Sequence, residues 1–483
     1  DELCERRQPV ITQELLASVV ADLSRDGRDV HEEALQLLNA YDTPRLDYDT
    51  MRKQFTLVNE QERSFFGEAN DKADMFAQRF ALVQQRILRQ DLFRPKLVTA
   101  DGRSSDGRNV THAITPVESL LGRAGVKFLL GMITQVEEGR YYLEDSTAQV
   151  PLDLSETQVL TDGFITENCI VLVEGEMVDG TLHVLRMGNP IVETRLDSRE
   201  TIGLVNSDLF HSMSTMAELD KLGEQEKEHG PDGMFVIMSD VHLDKPGVLE
   251  KLETLFEGFQ EMDPLPIFVL MGNFCSVPIA RDGPKAVMAN FDDLANVIAK
   301  FPRIASQGKF IFVPGPNDPG MADILPRPPL PKHFTSGLRS KLSHVHFATN
   351  PCRLRYFSKE IVLTRQDVVH KLRRHCILKP RSSEWVQHTV KTILDQGHLS
   401  PLPLHASPIY WQFDNALRLY PLPDAVILGD VVDQYYENYA DCDAINPGPF
   451  ANDFDFVVYR PVVSVDDDGH TKSDVEFSQI MKE

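Results

Sequence analysis

Positive charge is what this 483-residue chain lacks most. It carries 49 Lys and Arg against 73 Asp and Glu, a formal net charge of -24. A surface that grips phosphate backbone without sequence preference is basic. This chain therefore repels DNA on average, and any DNA contact must be local. Cysteine is sparse too: Cys4, Cys169, Cys275, Cys352, Cys376 and Cys442 are scattered without C-x-x-C spacing. That excludes a zinc ribbon within the chain and reads as the reduced, mostly buried thiols of an intracellular protein. No apolar run is long enough to cross a bilayer, and the start shows no signal-peptide pattern, so no membrane is implied. The chain opens on Asp1 rather than Met, which reads as a missing N-terminus. What is present is ordinary globular composition, 42% hydrophobic and 25% charged, in a length suited to about two to four domains.

Residues 1–58 read as a helical N-terminal module, truncated at its start. Leu15, Leu16, Val19, Val20 and Leu23 recur at helical spacing behind Thr12 as N-cap, and a second helix is expected over His31–Ala40, ended by Pro44. Residues 59–112 hold a helix over Asp71–Leu92, with Met75, Phe76, Phe80, Val83 and Ile87 on one side, then a Gly/Ser/Asp linker at 100–109. Within 113–195 the period changes to five short strands, at 127–133, 140–144, 149–154, 168–174 and 181–187. That spacing predicts an OB-fold β-barrel. Across 196–483, apolar strands at 235–238, 267–271, 310–313 and 425–428 alternate with helices at 248–259 and 291–300, an α/β layered domain. Functional loops of such sheets lie past the strand C-terminal ends.

Ser239-Asp-Val-His242 follows such a strand, Met234-Phe-Val-Ile-Met238. This resembles the opening of the metal site in calcineurin-like phosphoesterases. In that family D-x-H is followed by G-D-x-x-D, G-N-H-D or G-N-H-E, and two further histidine motifs ending in G-H-x-H. Here the later positions read Gly272-Asn-Phe-Cys-Ser276, Gly315-Pro-Asn-Asp318 and Gly429-Asp-Val-Val432. A two-metal hydrolase needs a bridging carboxylate that lets both ions share a nucleophile and clamp the phosphate. Asn273 stands in its place. Asn317 falls in the position of a ligating histidine, with Asp318 after it, and Asp430 and Val432 replace two imidazoles. Sites of this kind need histidine nitrogens as well as carboxylates. The expectation is a phosphoesterase fold with a degenerate active site: no catalytic residues, no metal and no cofactor, with Asp240, His242, Asn273, Asn317, Asp318, His398 and Asp430 as vestigial positions.

A wider resemblance is carried by Gly131-Met-Ile-Thr-Gln135, Tyr142-Leu-Glu-Asp145, Phe312-Val-Pro-Gly-Pro316, Ile324-Leu-Pro-Arg-Pro-Pro329, Thr349-Asn-Pro-Cys-Arg353, Gln396-Gly-His-Leu399 with Pro401-Leu-Pro-Leu404, and Ile445-Asn-Pro-Gly448. In order and number these resemble the B subunits of eukaryotic replicative DNA polymerases, most of all that of DNA polymerase epsilon. The polymerase alpha and delta B subunits are the alternative, and a residual metal-dependent phosphodiesterase or nuclease is the enzymatic one. The resemblance implies a noncatalytic nuclear subunit that binds the zinc-bearing C-terminal region of the catalytic subunit, attaches to the replicative helicase complex, and supports replication and repair.

Two further features are left. Lys371, Arg373, Arg374, His375, Lys379 and Arg381 form a dense basic run, either a solvated face or a docking patch for an acidic partner or DNA phosphates. Ser343-His-Val-His346 is an H-x-H on an expected strand, read with its imidazoles on opposite faces and so unable to chelate one ion.

Overall fold

The computed structural model describes residues 34–58, 63–93, 112–203, 209–210, 216–278, 283–320, 323–380, 382–465 and 471–481. The expected helix behind Thr12, the linker at 100–109 and Arg381 lie outside them. The helix expected over His31–Ala40 is corrected. Leu35–Asn39 is a strand, β1, followed by one 3-10 turn at Ala40–Asp42. Its run Leu-Gln-Leu-Leu-Asn satisfies a helical and a strand period alike. Pairing decides between them: β1 lies antiparallel to Cys352–Tyr356, with Leu37 opposite Leu354 and Leu35 and Leu37 packed on the core behind. A hairpin of β2 (Arg45–Asp49) and β3 (Gln54–Val58) follows.

Helix α1 spans Ala69–Ile87, opened by a capping box in which the Glu68 backbone N–H donates to Asp71. Its C-terminal half is buried all round, Arg79, Gln85 and Arg86 included. Such a helix is packed between bodies rather than laid on a surface. On one side is the barrel of β4 (Lys127–Glu137), β5 (Arg140–Glu144), β6 (Gln149–Asp153), β7 (Gln158–Val159), β8 (Ile170–Val178) and β9 (Thr181–Gly188). Strand order is β6-β5-β4-β8-β9-β7, and parallel pairing of β6 with β9 closes it around Leu129, Ile133, Leu143, Val173 and Leu182. The five expected strands are all there.

On the other side, among the described residues, two six-stranded sheets stack face to face. The first runs β13-β12-β11-β10-β19-β20, from β10 (Phe235–Met238), β11 (Ile267–Met271), β12 (Lys309–Val313), β13 (His344–Phe347), β19 (Asp455–Val465) and β20 (Thr471–Gln479). The second runs β1-β14-β15-β16-β18-β17, adding β14 (Cys352–Tyr356), β15 (Lys359–Arg365), β16 (Ala425–Gly429), β17 (Tyr435–Tyr439) and β18 (Cys442–Asn446). Phe235, Ile237, Val269 and Ile311 meet Leu354, Leu363, Ile427 and Ile445 between them. Helices α2 (Val248–Phe259) and α3 (Pro284–Ala299) cover the first sheet, and α4 (Val368–His375) and α5 (Trp385–Gln396) the second. The layers are thus α/β/β/α, with parallel strands buried on both faces reading as unbroken apolar runs.

Buried polar contacts bind barrel, α1 and this domain together. Gln396 exchanges two 2.8 Å bonds with the Ile170 backbone, and the Gly163 and Phe164 N–H groups donate to His388 and Thr392. From α1, Arg86 donates to the Pro190 carbonyl at 3.2 Å and to that of Asp395, and Arg79 reaches Asp414 at 3.0 Å.

Candidate functional site: a strand-end pocket

The C-terminal ends of β10, β11, β12, β15 and β16 converge between the two sheets. Backbone bonds tie them: Asp240 N–H to the Gly272 carbonyl, Gly272 N–H to Val313, and Gln366 N–H to Gly429. Gly272 must be glycine, since a Cβ there would sit 1.9 Å from an Asp318 oxygen. Asp240, 1% exposed, occupies the first of these ends. Its Oδ1 accepts from the Asn273 backbone N–H at 2.9 Å and from the Asn273 amide at 3.2 Å. Asn273 Oδ1 in turn accepts from Asn317 N–H at 2.8 Å. Asp318 takes the Phe274 and Gly315 N–H groups, each at 2.7 Å, and Arg327 donates to its carbonyl. Asp240, Asn273 and Asn317 are therefore bonded in a chain, and Asp318 holds the loops on either side of it.

The residue that sequence reasoning missed is Arg365, at the end of β15. Its side chain is 0% exposed. The guanidinium donates to both Asp240 oxygens, at 2.8 Å each from Nη2 with a further 3.2 Å bond from Nε, and Nη1 donates to Asp367 at 2.6 Å. Burial opposes the Asp240 charge, but the neighbouring His242, the guanidinium and the Asn273 backbone N–H together hold its pKa below the usual carboxylate range. Asp367 and Asp240 likewise hold Arg365 firmly protonated against burial. His242 Nε2 is 3.6 Å from Asp240, and its buried Nδ1 has no hydrogen-bond partner among the described residues. Gly429 makes room for the arginine stem: a Cβ there would lie 3.1 Å from Arg365 Cδ and 2.8 Å from Ser239 Oγ.

These residues do not fit a pair of metal ions. The Asp240 oxygens that would face a metal face a guanidinium, and Asn273 supplies no bridging charge. Among the described residues no three His, Cys, Asp or Glu side chains group to hold an ion. Burial pushes Asp318 up to about 6 despite its two amide bonds. Asp430 is buried and caps the start of α4, accepting from Val369 N–H at 3.0 Å. Its pKa is raised by burial and by Asp367, against the pull of Arg365.

His398 does not join this group. Its Nδ1 accepts from Ser400 N–H at 3.0 Å, and its Nε2 lies 3.1 Å from Asp414, which also takes Arg79 and Arg418. Burial and the Arg79 charge push its pKa down to about 4, against the pull of Asp414. In the basic run, Lys371 faces Asp323 at 3.9 Å and Arg373 stacks over Trp385 at 4.5 Å, while Arg374 and Lys379 are exposed. The expectation for His344 and His346 fails in its geometry. Residues two apart on a strand share a face, and here Val345 and Phe347 take the other, opposite Phe310 and Phe312. Burial first, then His344, lowers the pKa of His346.

Comparison with known proteins gives the pocket its context. Residues 235–437 match the family model of the B subunits of DNA polymerases alpha and epsilon, and residues 69–191 that of the DNA polymerase epsilon subunit 2-like OB-fold domain. The chain is 38% identical over 463 residues to human DNA polymerase epsilon subunit 2, covering 94% of this chain and 86% of that protein. It is 39% identical over 440 residues to the DNA polymerase epsilon B subunit of Arabidopsis thaliana, covering 89% and 81%. Among solved structures, an archaeal phosphodiesterase overlaps 50% of this chain and 99% of its own, at 14% identity and a TM-score of 0.25, a likeness that carries no argument.

Proposed function

This chain belongs to the DNA polymerase epsilon B-subunit family and is an accessory subunit of that polymerase, and from that premise we propose that its α/β domain is a phosphoesterase fold whose metal chemistry has been lost. The observation that carries this reading is the Arg365 guanidinium on both Asp240 oxygens, with Asn273 where a bridging carboxylate would stand. Without bound metals there is no hydroxide nucleophile and no clamp for a phosphate. The subunit's task is then association. A polymerase subunit has the catalytic subunit as its partner, and we place the contact on that subunit's C-terminal, zinc-bearing region, with the helicase complex beyond it, in the nucleus. The three modules are a short N-terminal piece, the OB barrel and the inactive phosphoesterase domain, joined by the α1 seam into one body. DNA contact is weak and local. Among the described residues of the basic run Arg373, Arg374 and Lys379 are exposed, and a net charge of -24 surrounds them.

One preparation tests the reading. The chain co-expressed with the C-terminal region of the catalytic subunit should co-purify with it. With added Mn2+ the complex should not hydrolyse a bis-aryl phosphodiester. Hydrolysis that disappears in Asp240→Ala would show a working site, and failure to co-purify would remove the partner.

A further inference from the structure

We infer that the trough between the N-terminal half of α1 and the barrel is a docking site for a cationic amphipathic helix of another polypeptide. The inference goes beyond the lost phosphoesterase chemistry and does not depend on it.

The trough opens where helix and barrel diverge. Phe80 and Ala81 are buried where the two meet, Phe80 packing with Leu130 and Ile170. Toward the helix N-terminus Phe76 is half-buried, and Ala77, Ala73 and Ala69 are exposed. The space encloses about 890 Å³, walled by this face of α1, by Met132 and Thr134 of β4, and by Tyr48 and Thr50 at the β2–β3 hairpin. The other face of α1 is already occupied, with Met75 and Arg79 buried and Arg79 bonded to Asp414. A helix on a surface ordinarily turns its polar stripe to water. Here much of the open stripe is alanine, with a phenylalanine beside it.

The geometry selects a helix as the occupant. Ala69, Ala73, Ala77 and Ala81 stand four residues apart and form one ridge. With nothing beyond Cβ, such a ridge lets a second helix approach to about 8 Å between axes. From Ala69 to Ala81 it runs about 18 Å, the length of roughly three turns. An extended peptide would need a free strand edge. β4 is paired on both sides, by β5 and β8, and β5 by β4 and β6. On the hairpin, the Tyr48 N–H of β2 already donates to Gln78 of α1 at 3.3 Å.

Charge selects a cationic one. Glu144, Asp145 and Glu167 line the barrel side, and among the described residues Lys72 is the only lysine or arginine lining the trough. Burial raises the pKa of Glu167 against the pulls of His405 and Lys72, as for a carboxylate that lacks its full share of positive charge. Asp145 is committed to the Val117 and Ala148 N–H groups, which leaves Glu144 and Glu167 to meet a partner. This excess of negative charge opposes nucleic acid and a second copy of this acidic chain alike. The Thr134 hydroxyl in the same wall is buried with no hydrogen-bond partner among the described residues, a group that a finished interior ordinarily pairs.

The test uses the full chain and a fluorescein-labelled peptide of about 18 residues, with leucines on one helical face and lysines on its flanks. A peptide of the same composition in shuffled order, with no apolar face, is the reference. By fluorescence anisotropy the ordered peptide should bind about tenfold more tightly than the shuffled one. Ala73→Trp/Ala77→Trp fills the trough from exposed positions and should bring the ordered peptide down to the shuffled level. Glu144→Gln/Glu167→Gln should weaken binding several-fold and flatten its salt dependence. Glu257→Gln/Glu261→Gln, which removes the same charge at the C-terminal end of α2, should do neither. A benzophenone on the apolar face of the ordered peptide should label residues 69–81 or β4. If the tryptophan pair disturbs folding, the two glutamine pairs and the labelled site still decide. Equal binding of the two peptides, a folded tryptophan pair that binds as the unaltered chain does, equal losses from the two glutamine pairs, or labelling elsewhere would each overturn the site. Self-association of the chain that the tryptophan pair abolishes would give the trough to a second copy and overturn the proposed occupant.

Discussion

The strand-end pocket and the α1 seam are both buried clusters of arginine and carboxylate, yet they differ in who supplies the partners. In the pocket, Asp240, Arg365 and Asp367 all belong to the α/β domain, and their bonds close on themselves. In the seam, Asp414 takes Arg79 from the N-terminal helix and Arg418 and His398 from the domain, while Arg86 and Gln396 reach the barrel. Burial, charge-assisted hydrogen bonds and shifted pKa values are shared by both, so none of these separates the pocket from a structural joint. The partners do. The pocket stands at converging strand C-terminal ends, where α/β sheets keep their ligands. The seam stands where three stretches of chain must be held in one body.

That difference predicts unequal responses to the same substitution. Asp414→Asn leaves two buried guanidiniums facing a neutral amide, and should cost about 3–5 kcal/mol. Asp240→Asn leaves Arg365 with Asp367 and should cost about 2 kcal/mol, because half of its compensation survives. Urea unfolding of both variants, followed by probes in the barrel and in the α/β domain, makes the measurement. A larger loss for Asp240→Asn would place the structural burden in the pocket and reverse the comparison.

A smaller change sharpens it. Gln396→Leu removes both bonds to Ile170 and leaves the β8 backbone groups buried without partners, a loss of about 1–3 kcal/mol. The effect should be directional: hydrogen exchange at Ile170 should rise several-fold, while amides around Asp240 stay protected. Uniform loosening of both regions would mean that the seam is not a separable joint.

Legibility from sequence followed the same division. Buried parallel strands such as Phe235–Met238 and Ile267–Met271 are short apolar runs, and the barrel strands carry turn residues between them, so both were readable. β1 was not, because its leucines fit two periods and only pairing with β14 chooses one. Of the pocket, Asp240, Asn273, Asn317 and Asp318 were legible through motif order. Arg365 was not, since a charged residue ending a strand ordinarily turns to water, and nothing local shows that this one turns inward. His398 was read into the pocket from its Gly-His context. Gly397, at φ 62°, ends α5 in a left-handed turn, and the imidazole after it bonds toward Asp414 instead.

His398 supplies the finest test, through pH. Its folded pKa of about 4 lies below the ordinary 6.5, so the native form is the neutral imidazole. A group of this sign contributes fully above pH 6.5, and the contribution is lost as pH falls toward 4, because the unfolded chain takes up the proton first. Between pH 7 and 5.5 the loss should be about 1 kcal/mol. Burial also pushes Asp318 and Asp395 up to about 6, which favours the folded state as pH falls through that value. Absolute stability therefore mixes opposing slopes, and a difference is needed. His398→Gln can still meet Asp414 and the Ser400 N–H but cannot take the proton. The stability gap between the unaltered chain and His398→Gln should narrow by about 1 kcal/mol from pH 7 to 5.5, while the two carboxylates cancel. A gap that holds or widens would mean that His398 is protonated against Asp414, flanked by Arg79 and Arg418. The α/β domain would then supply Asp414 with two cations of its own, His398 and Arg418, and the seam would lean less on Arg79 of α1, which narrows the contrast with the self-contained pocket.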